Sequence, residues 1–107
     1  MKEIERIKKM ELALDELSES QKNVSTSIEE FSKHMDQWKE LSAYYGSEQF
    51  HHDLALDEAG NLPPDLKRGV LSEDAVYDLI TDLNELAVEL HHIADIIQKY
   101  NTSVANE

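Results

Sequence analysis

The positions Ile7, Met10, Leu14, Leu17, Gln21, Val24, Ile28, Phe31, Met35, Trp38, Ser42 and Tyr45 follow one another in alternating steps of three and four. That spacing is a heptad stripe on one face of a helix, and only Gln21 and Ser42 interrupt it as an apolar seam. A second seam follows in the same rhythm: Val76, Leu79, Leu83, Leu86, Leu90, Ile93, Ile97, Tyr100 and Val104. Ile80, Ala87 and Ala94 lie beside it and widen it toward the face a helix shows in a bundle. Beside the first seam stand Ala13, Ser18, Ser20, Ser25, Ser27 and Ser32, small residues where a two-stranded coil usually carries Glu and Lys. Other helices can therefore approach both flanks closely.

One stretch argues against continuity. Ser18 to Ser27, SESQKNVSTS, is rich in residues that favour caps and turns. Ser27 with Glu30, or Thr26 with Glu29, has capping-box spacing. The heptad phase nevertheless runs through Leu17, Val24 and Ile28 without a slip, which favours one continuous helix over about residues 2–45. The alternative is a break at 18–27 that lets the N-terminal segment fold back as a third helix.

Between the seams lie both prolines and all three glycines. Gly46 reads as a left-handed C-terminal cap, and Ser47 as the N-cap of a short helix over about 48–58 that Phe50 and Leu54 dock. Gly60 and Asn61 stop that helix. Pro63 excludes helix at Leu62, and Pro64 begins a single turn that Gly69 closes in a left-handed conformation. The connector spans 59–71. Ser72 then caps a helix over about 73–101, with Glu73 and Asp74 in its first turn, Leu71 and Val76 at hydrophobic-staple spacing, and a frayed tail at 102–107. The expected architecture is all-α: a single domain built as an antiparallel long-helix hairpin, with the short middle helix and the Pro/Gly connector folded over one end.

Length and charge restrict what such a fold does. A chain of 107 residues supports one modest core. The formal charge of -13 speaks against binding nucleic acid or anionic membrane, both of which reward Lys and Arg. It is unevenly spread: residues 1–45 carry 10 acids and 7 bases, 46–71 carry 5 and 2, and 72–107 carry 8 and 1. Cysteine is absent, which removes disulfides, thiolate metal sites and thiol nucleophiles. The first residues lack an apolar signal-peptide core, and no apolar run reaches the roughly 20 residues of a membrane span. A cytoplasmic protein is expected.

The run from Tyr44 to Ile80, YYGSEQFHHDLALDEAGNLPPDLKRGVLSEDAVYDLI, resembles a family of short, acidic bacterial proteins catalogued as a domain of unknown function, family 4298 of that catalogue. The matching positions are Tyr45, Asp53, Asp57, Glu58, Gly60, Leu62, Pro63, Asp65, Leu66, Gly69, Leu71, Ser72, Glu73 and Asp74. The resemblance implies a bacterial source and a connector that is a recognisable unit. It implies no activity.

Candidate chemistry is sparse. His51, His52, Asp53 and Asp57 form one group of potential metal ligands, and His91, His92, Glu89 and Asp95 another. Asp53 with Asp57, and His91 with Asp95, stand one helical turn apart. Glu89-x-x-His92 copies half of a di-iron motif, but a second copy is missing, and Leu90 and Ile93 claim the inward positions. An EF-hand reading fails, because with Gly60 as its invariant glycine Ala55, Ala59 and Leu66 fall where oxygen ligands belong. No phosphate-binding glycine loop or nucleophile elbow occurs. No metal or cofactor is therefore expected, and no catalytic residue is assigned.

The leading expectation is a non-enzymatic helical interaction or adaptor protein. Its partner-binding candidates are Asp53, Asp57, Glu58, Leu62, Asp65, Lys67 and Arg68. Lys67 and Arg68, the only positive charges between Glu40 and Gln98, are expected to be exposed. Two other readings stand beside it: an acidic decoy that mimics nucleic acid to occupy a basic protein, and a metal-dependent enzyme using the His and Asp pairs. A homodimer is also expected. A first helix of roughly 66 Å would outreach a second of about 44 Å and leave Ile7, Met10 and Leu14 uncovered.

Overall fold

The computed structural model describes the backbone of residues 1–105 and the side chains of residues 1–101. Four α-helices and one 3-10 turn make up the regular structure, with no strand among the described residues. They are α1 (Lys2–Ser32), α2 (Met35–Tyr44), α3 (Glu48–Glu58), the 3-10 turn Gly69–Leu71 and α4 (Ala75–Ala105). The protein is all-α. It divides into two compact units, one ending at Tyr44 and the other beginning at Tyr45.

In the first unit, α1 passes through Ser18–Ser27 without a break. Its polar residues there either face water or bond back along the helix, as Thr26 does by donating its hydroxyl hydrogen to the Lys22 carbonyl at 3.0 Å. The interruption falls later, so the single helix expected over 2–45 is two. The Ser32 hydroxyl bonds the Glu29 carbonyl at 2.8 Å, and the His34 N–H reaches only as far as the Phe31 carbonyl, 3.0 Å away, which tightens the chain into a hydrogen-bonded turn at Lys33–His34. The helix restarts on the His34 carbonyl, which accepts from the Trp38 N–H at 3.0 Å. His34 Nδ1 lies 2.8 Å from Gln37 Oε1, bracing the first turn of α2. No glycine or proline marks this joint.

Gly46, at φ +83°, ends α2 in the left-handed conformation that only glycine adopts at low cost. Ser47 caps α3, its side-chain oxygen accepting from the Phe50 N–H at 3.1 Å. α3 runs from Glu48 to Glu58 as its caps dictate. At its far end Gly60, at φ +73°, closes a Schellman motif: the Gly60 N–H bonds the Asp57 carbonyl at 3.0 Å and the Asn61 N–H bonds the Leu56 carbonyl at 2.9 Å.

The connector differs from expectation in two respects. Pro63 to Leu66 forms a single β-turn, closed by the Leu66 N–H on the Pro63 carbonyl at 3.1 Å, and no helical turn continues to Arg68. Gly69 is not left-handed and closes nothing; it opens the 3-10 turn. Ser72 then performs two tasks. Its hydroxyl donates to the Gly69 carbonyl at 2.6 Å and accepts from the Ala75 N–H at 3.3 Å. α4 begins two residues later than expected, leaving Glu73 and Asp74 ahead of it. The helix also continues past the expected end near residue 101 through Ala105; residues 106 and 107 of the expected tail lie outside the described part.

The second unit holds the buried residues. Among the described residues they are Phe50, Leu71 and Val76, from α3, the 3-10 turn and α4 respectively. Leu71 and Val76 form the staple that their spacing predicts, Val76 being only 4% exposed. The 3-10 turn touches both α3 and α4 and so is the keystone of this unit. Tyr45 meets Phe50 edge to face, with ring centroids 5.2 Å apart. Ile80, Leu83 and Leu86 are half-buried along the first three turns of α4.

Candidate functional site

Why the connector folds where it does follows from one face of α3. Phe50, Asp53, Leu54 and Asp57 stand at i, i+3, i+4 and i+7 and are all buried or half-buried. This stripe carries Asp57 inward, next to the returning chain. Arg68 Nε meets Asp57 Oδ1 at 3.2 Å, with the two side chains 36% and 26% exposed. The pair straps the connector to α3 across the Pro63–Leu66 turn. Arg68 is therefore not the free surface charge that the sequence reading expects. Lys67, its neighbour, is exposed.

The remaining candidates divide in the same way. Asp53 and Leu62 are half-buried, whereas Glu58 and Asp65 are exposed. The histidines His51 and His52 are exposed on α3, and the His51 ring stacks edge-on to Phe50 at 5.5 Å. His52 and Asp53 line an open hollow at the start of α3 together with Glu48 and Gln49. On α4, His91, His92 and Asp95 are exposed on the distal half of the helix. Among the described residues no three His, Asp or Glu side chains converge as a metal would require. The groups on this surface can hydrogen-bond and ion-pair.

Beyond the connector candidates, the seams themselves are exposed, well past the Ile7, Met10 and Leu14 that the sequence reading leaves uncovered. No residue of α1 is buried. Ile7, Met10, Leu14, Leu17, Val24, Ile28 and Phe31 remain 39–71% exposed, and so do Leu90, Ile93, Ile97 and Tyr100 on the distal half of α4 within nearly the same range. Their periodicity signals burial that neither unit, taken by itself, provides. The overhang was expected of one unbroken helix over 2–45, whereas α1 ends at Ser32 and α2 begins at Met35. The exposure of the seam stands without it. No helix is long and apolar enough to cross a membrane among the described residues.

An all-helical chain with a capped, ion-paired connector and uncovered heptad faces is the class defined so far. The family follows: the chain belongs to the family described as Domain of unknown function (DUF4298), whose profile matches residues 7–93. The match takes in the first seam, the connector and most of α4. No curated protein and no solved structure matches the chain.

Proposed function

We propose that this protein is a non-enzymatic helical interaction protein, which binds other helices through the apolar faces of α1 and of the distal half of α4. The observation that carries this reading is the exposure of the heptad residues on both helices. A half-exposed row of Leu, Ile and Met is costly in water, at about 25 cal/mol per Å². A lone helix as poor in helix formers as Ser18–Ser27 gains little from propensity alone, so contact with another helix must supply its stability. The connector supports the reading indirectly. Asp57 and Arg68 are engaged with each other, leaving Glu58, Asp65 and Lys67 as its outward polar groups.

The acidic-decoy reading rests on a different observation: from Glu73 to Asp95 the chain has seven acids and no base. One experiment separates the two. The immobilised full chain is compared with a Leu90→Asp, Ile97→Asp variant as bait across a salt series, and retained proteins are identified by mass spectrometry. The interaction reading expects capture that resists salt and is lost in the variant. Capture that disappears with salt and ignores the variant supports the decoy. Circular dichroism controls for folding, since both substituted residues are exposed and helicity should persist.

A further inference from the structure

Resting on the interaction reading, we propose that the α1 face is covered by the same face of a second copy, the two helices running parallel and in register. Three observations select this occupant.

The first is charge. With Ile7 and Met10 as the a and d positions of the first heptad, the flanking g and e positions are Arg6, Ala13, Ser20 and Ser27 on one side and Glu11, Ser18, Ser25 and Ser32 on the other. In a parallel, in-register pair, each g residue faces the e residue five positions further along the other chain. Arg6 of each copy then meets Glu11 of the other, so the only two charges on these flanks pair twice across the dyad. An antiparallel pair sets g against g and e against e, and places Arg6 and Glu11 opposite Ser or His. Small side chains elsewhere along the flanks let the backbones approach.

The second is Gln21, the one polar residue in the seam from Ile7 to Phe31. It is an a position. In register, the two Gln21 side chains meet and satisfy each other, whereas a shifted or reversed pair sets each against an apolar neighbour. A single polar a residue fixes register in this way at some cost in affinity.

The third is area. The seven exposed seam residues offer roughly 600 Å² per copy, at the 60–120 Å² per side chain implied by transfer energies, or about 1,200 Å² in all. That reaches the lower bound of specific, stable interfaces. The seam drifts about 20° per heptad on a straight helix, a drift that a left-handed supercoil of two α1 helices removes.

The test uses the full chain, which has no cysteine of its own. Light scattering at tens of micromolar should give twice the 12.3 kDa of one chain. Leu14→Asp should weaken the dimer by at least about tenfold, because the substitution removes a seam contact from each copy. Arg6→Glu should weaken it about threefold, and Arg6→Glu with Glu11→Arg should restore it. Met10→Cys reports orientation: parallel chains bring the two thiols together and cross-link on mild oxidation, whereas antiparallel chains hold them roughly 27 Å apart. A single-chain mass overturns the proposal, even where the bait experiment still captures a partner through Leu90 and Ile97, which leaves the interaction reading standing. A dimer in which Met10→Cys does not cross-link overturns the parallel register.

Discussion

Glycine at three positions of this chain serves two different needs, and the difference is measurable. Gly60 holds a left-handed backbone inside a Schellman motif. Gly60→Ala forces a Cβ into that region and should lower stability by about 1–2 kcal/mol in urea denaturation. Gly69 is not left-handed, and a Cβ built on it meets open space. Gly69→Ala should therefore leave the midpoint unchanged or raise it slightly, by reducing the freedom of the unfolded chain. The sequence shows both glycines next to turn residues and cannot separate them. What distinguishes them is position relative to a helix end: Gly60 follows α3, while Gly69 is the first residue of the 3-10 turn. The Arg68–Asp57 pair was equally illegible, since its members are joined by neither helical spacing nor a motif. Arg68→Ala should cost about 0.2–1 kcal/mol, the range for a pair this exposed, and Lys67→Ala should cost nothing measurable in the same titration.

At the scale of elements, the caps were legible because a cap is written in consecutive residues. Ser47, placed before Glu48 and three residues ahead of Phe50, satisfies an N–H that the helix cannot, and Ser47→Ala should cost about 1 kcal/mol of unit stability. The staple between Leu71 and Val76 is legible for the same reason. The joint at Lys33–His34 was not. Ser32 bonds Glu29 and the Phe31 carbonyl takes the His34 N–H, yet no residue there is a recognised breaker and the seam phase crosses the joint without a slip. Ser18–Ser27, by contrast, carries the composition of a break and stays helical, because local preference in an exposed helix is weak and Thr26 can bond back to Lys22. Composition located the weakness in the wrong turn of the helix.

The whole molecule presents a small buried core around Phe50, Leu71 and Val76 and long apolar faces that remain in water. The heptads were legible in full, but whether their faces close within one chain is not a property of period. The absence of converging ligands among the described residues makes a separate prediction at this scale. Neither His51, His52, Asp53 and Asp57 nor His91, His92 and Asp95 bring three ligands together, so thermal melts with and without chelator should coincide; a fall of several degrees reversed by zinc would support the metal-dependent reading instead. The covering of α1 by a second copy is the central claim, and hydrogen exchange tests it residue by residue. Amides from Leu14 to Ile28 in an uncovered helix open locally at little free-energy cost and exchange fast at every protein concentration. Covered by a second copy, they should be protected at tens of micromolar and lose that protection on dilution, while amides near Phe50 and Val76 stay unchanged. Equal, rapid exchange of the Leu14–Ile28 amides at all concentrations would contradict the account.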